Sequence, residues 1–276
     1  MCKMQQASLE MRSRHCNGGK PFPGDAVTVT DGLLLAAAAF GAGLLNTIAG
    51  GGTFLTFPAL VLAGVPPVIA NATSAVAVFP GYLAGAVGFR RELSVFDQRR
   101  LIRLATVTLA GGLAGSLLLT VSSNAAFSRI VPGLLLLATL VFLFGEQLRV
   151  LAARFGKGGE PGITGLFLTS IYGGYFNGGL GIMLLALFAV WGMRDLNQMN
   201  GLKNGLSFVL SAISVAAFAF AGLVAWPQAL VMIFASMLGG YAGAPVARMI
   251  PRGVLRGLIA LVGFGMTVLF VWRAWG

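Results

Sequence analysis

The groups with chemistry to offer in this chain are amides, hydroxyls and open backbone, gathered at two glycine-rich interruptions. The first runs from Asn46 through Gly50, Gly51 and Gly52 to Thr53, and the second is Asn177-Gly178-Gly179-Leu180-Gly181. Both sit in apolar surroundings, so each should end one helix and begin another. The N–H groups at the start of a helix and the positive end of its dipole favour an anion, and glycine lets a ligand touch backbone. Two polar clusters follow the breaks, one holding Asn71 and Ser74, the other Asn200, Lys203 and Asn204. These fourteen residues, Asn46, Gly50, Gly51, Gly52, Thr53, Asn71, Ser74, Asn177, Gly178, Gly179, Gly181, Asn200, Lys203 and Asn204, form the candidate binding site for a small anionic substrate.

Each nomination competes with a plainer role. Glycines also serve tight helix packing, the role assigned to Gly81-xxx-Gly85, Gly111-xxx-Gly115 and Gly239-xxx-Gly243. Asn71 follows Pro66-Pro67 and can cap a helix there, and Asn71-Ala72-Thr73 matches a glycosylation sequon inside apolar sequence. Lys203 is a few residues from Arg194 and Asp195, so its stem can instead carry the ammonium toward an interface.

Other chemistry is excluded by what the body of the chain lacks. The only histidine, His15, and the two cysteines, Cys2 and Cys16, all lie in the first thirty residues. The apolar remainder has none of these bases, nucleophiles or soft metal ligands, so no catalytic residue, metal site or cofactor is expected. Gly156-Lys157 lacks a following Ser or Thr and is no nucleotide-binding loop. Apart from Asp31 at a boundary, no carboxylate stands deep in an apolar run, so no proton relay of that kind is legible and the coupling ion stays open.

The elements that hold these residues must be membrane helices. Of 276 residues 57% are hydrophobic and 10% charged, against about a quarter charged in soluble domains. Gly32 to Phe89 has no charged residue, and uncharged runs return at Pro161–Met193 and Asn204–Ala247. Runs beyond about 18 apolar residues read as membrane spans. The net charge of +11 then reflects basic cytoplasmic loops and not a nucleic-acid interface, although Lys3, Arg12, Arg14 and Lys20 of the tail fall outside in the topology below, and the lipid bilayer is left as partner. Nothing in the sequence sets the oligomeric state. Residues 1–30 form a polar extension, expected to be poorly ordered, and cleavage of a signal peptide within Leu33–Ala49 would remove part of the first repeat.

That repeat is visible at an offset of 129, which relates Gly52 to Gly181 and Asn71 to Asn200, while Gly111-Gly112 answers Gly239-Gly240 at 128. The halves are residues 31–145 and 161–276, joined by a hydrophilic linker at 146–160. Equivalent loops differ in basic content. The loop with Arg90, Arg91, Arg99, Arg100 and Arg103 answers one without Lys or Arg, and the loop with only Arg129 answers one with Arg248, Arg252 and Arg256. Because cytoplasmic loops collect Lys and Arg, the halves should be inverted, each crossing an odd number of times. Asp31–Gly64, at 34 residues, would be about 51 Å of helix, too long for one crossing. The expected fold is therefore all-α and polytopic: two inverted repeats, each a broken hairpin plus three transmembrane helices, about eight transmembrane elements in all. Eight plain spans with the tail inside is the competing topology, and it would put the Arg248–Arg256 cluster outside.

The stretch "GAGLLNTIAGGGTFLTFPALVLAGVPPVIANATSAVAVFPGYLAGAVGFRREL" resembles the first signature block of the TauE/SafE family of sulfite and organosulfonate exporters, and "YGGYFNGGLGIMLLALFAVWGMRDLNQMNGLKN" resembles the second. The likeness runs from about Asp31 to Trp272, and only the long basic tail departs from it. It implies a bacterial inner-membrane carrier that moves small sulfur-containing or related organic anions outward by alternating access. It implies site residues at Asn46, Gly50–Gly52 and Thr53, and at Asn177–Gly181, Asn200, Lys203 and Asn204. The competing classes are an intramembrane enzyme, which would need a catalytic pair in the membrane, and a non-transporting assembly factor, which would not need matched helix breaks.

Overall fold

The computed structural model describes residues 28–48, 51–145, 147, 150–151, 162–247 and 252–275. The polar tail, most of the linker, Gly50 and Arg248 lie outside the described residues. Local signals start the helices. Thr28 Oγ1 accepts the Asp31 N–H at 3.1 Å and opens α1, Val29–Ile48. Gly52 opens α2, Thr53–Leu62, and Pro66-Pro67 opens α3, Pro67–Gly88, after which a single turn forms α4, Arg90–Leu93. Asp97 caps α5, Gln98–Val121, and Ser123 caps α6, Asn124–Leu143. The second half has α7, Ile163–Tyr175, α8, Leu180–Val190, α9, Leu196–Phe220, capped by Asp195, then α10, Trp226–Ala247, and α11, Arg252–Trp275.

The all-α expectation holds: no strand occurs among the described residues. Within them five helical stretches are long and apolar enough to cross a membrane, namely Val29–Asn46, Pro67–Gly88, Gln98–Val121, Asn124–Val141 and Leu196–Phe220. The half-helices α2 and α8 have 10 and 11 residues, about 15–17 Å, which is half of a roughly 30 Å core.

The most extensive packing pairs α1 with α10 and α5 with α7, followed by α6 with α11 and α3 with α9. Small residues bring the first two pairs close, as expected where hydrophobic drive between helices is absent. A Cβ on Gly111 would lie 2.7 Å from the Phe167 carbonyl, one on Gly115 would strike the Ile171 carbonyl, and one on Gly239 would strike that of Phe40. Gly81 departs from the expected packing role, since no neighbour stands within 4 Å of where its Cβ would be.

Helices α3 and α9, which carry the repeat-related Asn71 and Asn200, run antiparallel. At one end the space beside Gly85 is filled by Asn204 and that beside Gly201 by Phe89; at the other, the Ala225 N–H just past α9 donates to Thr73 Oγ1 at 3.0 Å. The main core gathers where α2 docks. Phe57 lies 5.8 Å from Phe176, 5.8 Å from Phe270 and 6.3 Å from Phe127, so α2 is held by α6, α7 and α11 together. Outward, Leu117, Leu118, Phe234 and Leu238 are more than half exposed, a surface that suits hydrocarbon and not water.

Candidate functional site

At the first break α1 ends, the chain turns, and α2 runs back along it, with Leu55 against Gly41. Gly51 has φ 114°, a left-handed value open to glycine, and a Cβ on Gly52 would lie 2.7 Å from the Ala42 carbonyl. Asn46 closes the turn. Its Oδ1 accepts the N–H groups of Gly51 at 3.2 Å and Gly52 at 2.8 Å, in a buried setting. The backbone donors expected to be open to an anion are thus partly occupied, and a ligand reaching them has to displace Asn46. Thr53 is buried at the first turn of α2, and one turn on Thr56 shares a 2.5 Å hydrogen bond with Ser74 of α3.

The second break is built differently. Asn177 sits at φ 55°, tolerated by asparagine, and Gly179 at φ 74°. The Gly178 carbonyl accepts the Tyr172 hydroxyl at 2.6 Å, and the Gly178 N–H bonds the Phe176 carbonyl at 2.7 Å. Asn177 is buried with its Oδ1 unpartnered. Gly181 lies buried in the first turn of α8.

The asparagine-bearing helix of the other half bonds the second break and shares a cavity with the first. Asn71 of α3 donates Nδ2 to the Tyr175 carbonyl at the second break, 2.8 Å away. Asn204 of α9 and Asn46 of the first break line one cavity of about 410 Å³, together with Tyr82, Gly85 and Ser236. Lys203 is one residue from that wall without lining it. It is 2% exposed, which rules out a side chain reaching the surface, and its Nζ donates to Asn200 Oδ1 at 3.0 Å. Among the described residues no carboxylate pairs with it.

The fourteen nominated residues therefore form two groups and not one. Asn46, Gly51, Gly52, Thr53, Asn200, Lys203 and Asn204 gather at or beside the cavity, while Asn71, Asn177, Gly178, Gly179 and Gly181 gather at the second break. Ser74 joins α3 to α2, and Gly50 lies outside the described residues. Sequence reasoning missed Tyr82, whose phenol lies against the Asn177 side chain, and Ser236, which donates to the Ala77 carbonyl at 2.6 Å. Both are hydroxyls inside uncharged runs, and that is the signal that marks them.

The cavity brings together the side-chain amides of Asn46 and Asn204 with Tyr82 and Ser236, and one buried ammonium stands nearby. Comparison with known proteins agrees with a membrane protein. Over 247 residues the chain is 29% identical to a probable membrane transporter protein of Haemophilus influenzae, covering 87% of this chain and 94% of that one. It is 25% identical to probable membrane transporter protein ORF9 of a Sinorhizobium species over 85% of this chain and 90% of the relative. It is likewise 25% identical to probable membrane transporter protein YfcA of Escherichia coli K12, over 85% and 87%. No solved structure matches. The family model described as sulfite exporter TauE/SafE matches residues 35–270, and the chain belongs to that family of multi-pass membrane proteins.

Proposed function

We propose that the protein is a secondary transporter that exports a small anion, sulfite, an organosulfonate or a related organic anion, across the bacterial inner membrane. The observation that carries this reading is Lys203: a buried ammonium without a carboxylate partner among the described residues, next to the Asn204 wall of a cavity whose other wall is Asn46. A lone charge in a span costs roughly 2.5–3.5 kcal/mol on insertion scales, so its retention there points to a charge-bearing ligand.

Alternating access by two inverted repeats is the mechanism that accompanies this reading, with about eight transmembrane elements. The antiparallel run of the repeat-related α3 and α9 supports inversion, and so does the exchange in packing whereby α1 lies on α10 and α7 on α5. Each half also opens with two helices joined at a break, α1 with α2 and α7 with α8. With the second break bonded by α3 and the first sharing a cavity with α9, rocking one half against the other changes the surroundings of both breaks at once. The test is purified protein in proteoliposomes loaded with sulfite, alkylsulfonates or small carboxylates. Gradient-driven movement of at least one of these anions is expected, and no movement of any of them in either direction removes the reading.

A further inference from the structure

Serine and threonine inside a helix ordinarily give their hydroxyl proton to a carbonyl three or four residues back. Thr108 of α5 is buried without a partner, but other buried hydroxyls of this bundle do so: Ser170 donates to the Leu166 carbonyl at 2.7 Å, Thr139 to Leu135 at 2.6 Å and Ser116 to Leu113 at 3.0 Å. Three serines of α9 do not. Ser207, Ser211 and Ser214 are 0%, 0% and 2% exposed, and none of their hydroxyl oxygens has a hydrogen-bond partner. At ~100° per residue the three lie within about 60° of one another on the helix, and Lys203 and Asn200 continue the same line toward its start. The line runs for ~21 Å, most of the depth of a bilayer core of about 30 Å.

Packing does not require these hydroxyls. The offset of 129 puts Val78, Tyr82 and Gly85 of α3 where α9 has Ser207, Ser211 and Ser214, so at these three positions the other half has no serine, although Ser74 stands where α9 has Lys203. Further unmet polar atoms belong to the second break: the carboxamide oxygens of Asn71 and Asn177 are buried and unpartnered. Tyr82, which lies against Asn177, also lines the cavity with Asn204 of α9. Because α3 and α9 are antiparallel with Gly85 against Asn204, the next turn of α3, at Tyr82, stands level with the next turn of α9, at Ser207. None of the three serines lines the cavity itself.

We infer that Ser207, Ser211 and Ser214 continue the cavity as a hydroxyl-lined track, along which a small oxyanion passes from Asn204, past Tyr82, toward the Asn71 end. The inference rests on the transporter reading above and deepens it. Three neutral donors in line suit a ligand that only accepts hydrogen bonds, and they hold it without the full charge that would trap it. Lys203 stands at one end of the line as an entry charge. The amide oxygens of Asn71 and Asn177 are acceptors that water and not an anion satisfies, so the track is wet between passages.

The experiment uses the full chain in liposomes, with Cys2 and Cys16 replaced by serine and Ser207→Cys, Ser211→Cys or Ser214→Cys introduced singly. Ser116→Cys, at a buried hydroxyl bonded within its own helix, is the comparison. A small water-soluble methanethiosulfonate bearing a sulfonate should modify each of the three α9 positions at least about tenfold faster than position 116. The triple variant Ser207→Ala/Ser211→Ala/Ser214→Ala should unfold at the parent temperature or above, since it removes unmet buried polar groups, yet move sulfite at least about tenfold more slowly. Equal labelling at all four positions in a protein that moves sulfite overturns the track and leaves the transporter reading standing. A triple variant that unfolds earlier and moves sulfite normally also overturns it, by giving the serines to packing. Fast labelling in a parent that moves no anion upholds a wet track and overturns its cargo.

Discussion

The side-chain amide of Asn71 donates to the backbone carbonyl of Tyr175, 2.8 Å away and 104 residues further along the chain. An open carbonyl at a helix break finds no donor in hydrocarbon, and here a residue from the other half of the molecule completes it. The capping of a helix after Pro66-Pro67, the plainer role considered for Asn71, gives way to this long-range bond. Asn71→Leu should leave the Tyr175 carbonyl unmet at a cost of about 1–3 kcal/mol. Thermal unfolding in detergent should show a midpoint lower by several degrees, and an unchanged midpoint would show the bond to be dispensable.

Asn46 separates stability from transport. Its Oδ1 holds two amides at the start of α2, and losing such a cap costs about 0.5–2 kcal/mol. Asn46→Ala should therefore lower the unfolding midpoint. Asn46→Asp keeps the acceptor and adds a charge that the helix start favours, so the protein should stay as stable as the parent. The same charge faces the cavity, and anion movement should fall by about tenfold or more. Aspartate that transports normally would move the substrate away from this wall.

Lys203→Met removes the buried ammonium while keeping length and apolarity. Taking an unpaired charge out of the interior should leave stability unchanged or raise it. Anion binding should weaken by about tenfold, equivalent to roughly 1.4 kcal/mol, while Lys203→Arg retains part of the function. A Met variant that binds and exports like the parent would leave the lysine without a role in recognition.

Glycines at the break and in the cavity should respond differently to the same small change. Gly52→Ala places a methyl 2.7 Å from the Ala42 carbonyl and 2.8 Å from the Asn46 side chain, whereas Gly81→Ala meets nothing within 4 Å. The first should reduce the yield of folded protein and the second should not, as read by size-exclusion chromatography. Equal yields would mean that α1 and α2 part easily at the first break.

Topology is tested with cysteine reporters at Ser94 and Met249, between basic clusters of the two halves, in a background without Cys2 and Cys16. With inverted halves both should be shielded from an impermeant thiol reagent in intact cells. Labelling of position 249 alone would favour eight plain spans.

Read alone, the sequence determined the solvent and the elements. Long uncharged runs can be satisfied only by helices in lipid, and Gly51, Gly179 and the Pro66-Pro67 pair interrupt those helices through backbone limits that are local to each residue. The matched breaks were legible for the same reason, because a repeat offset of 129 is a property of the string. What each polar group meets was decided only by tertiary structure. Asn46 and Thr53 share a motif, yet the asparagine turns back onto Gly51 and Gly52, and this follows from the antiparallel return of α2 along α1. Asn71 and Asn200 are equivalent in sequence, but one reaches a carbonyl in the opposite half and the other a lysine three residues on, because residue 203 is lysine where α3 has Ser74. Tyr82 reaches the Asn177 side chain across 95 residues of sequence. No local period encodes such a meeting, since it depends on how helices of one half close around the breaks of the other.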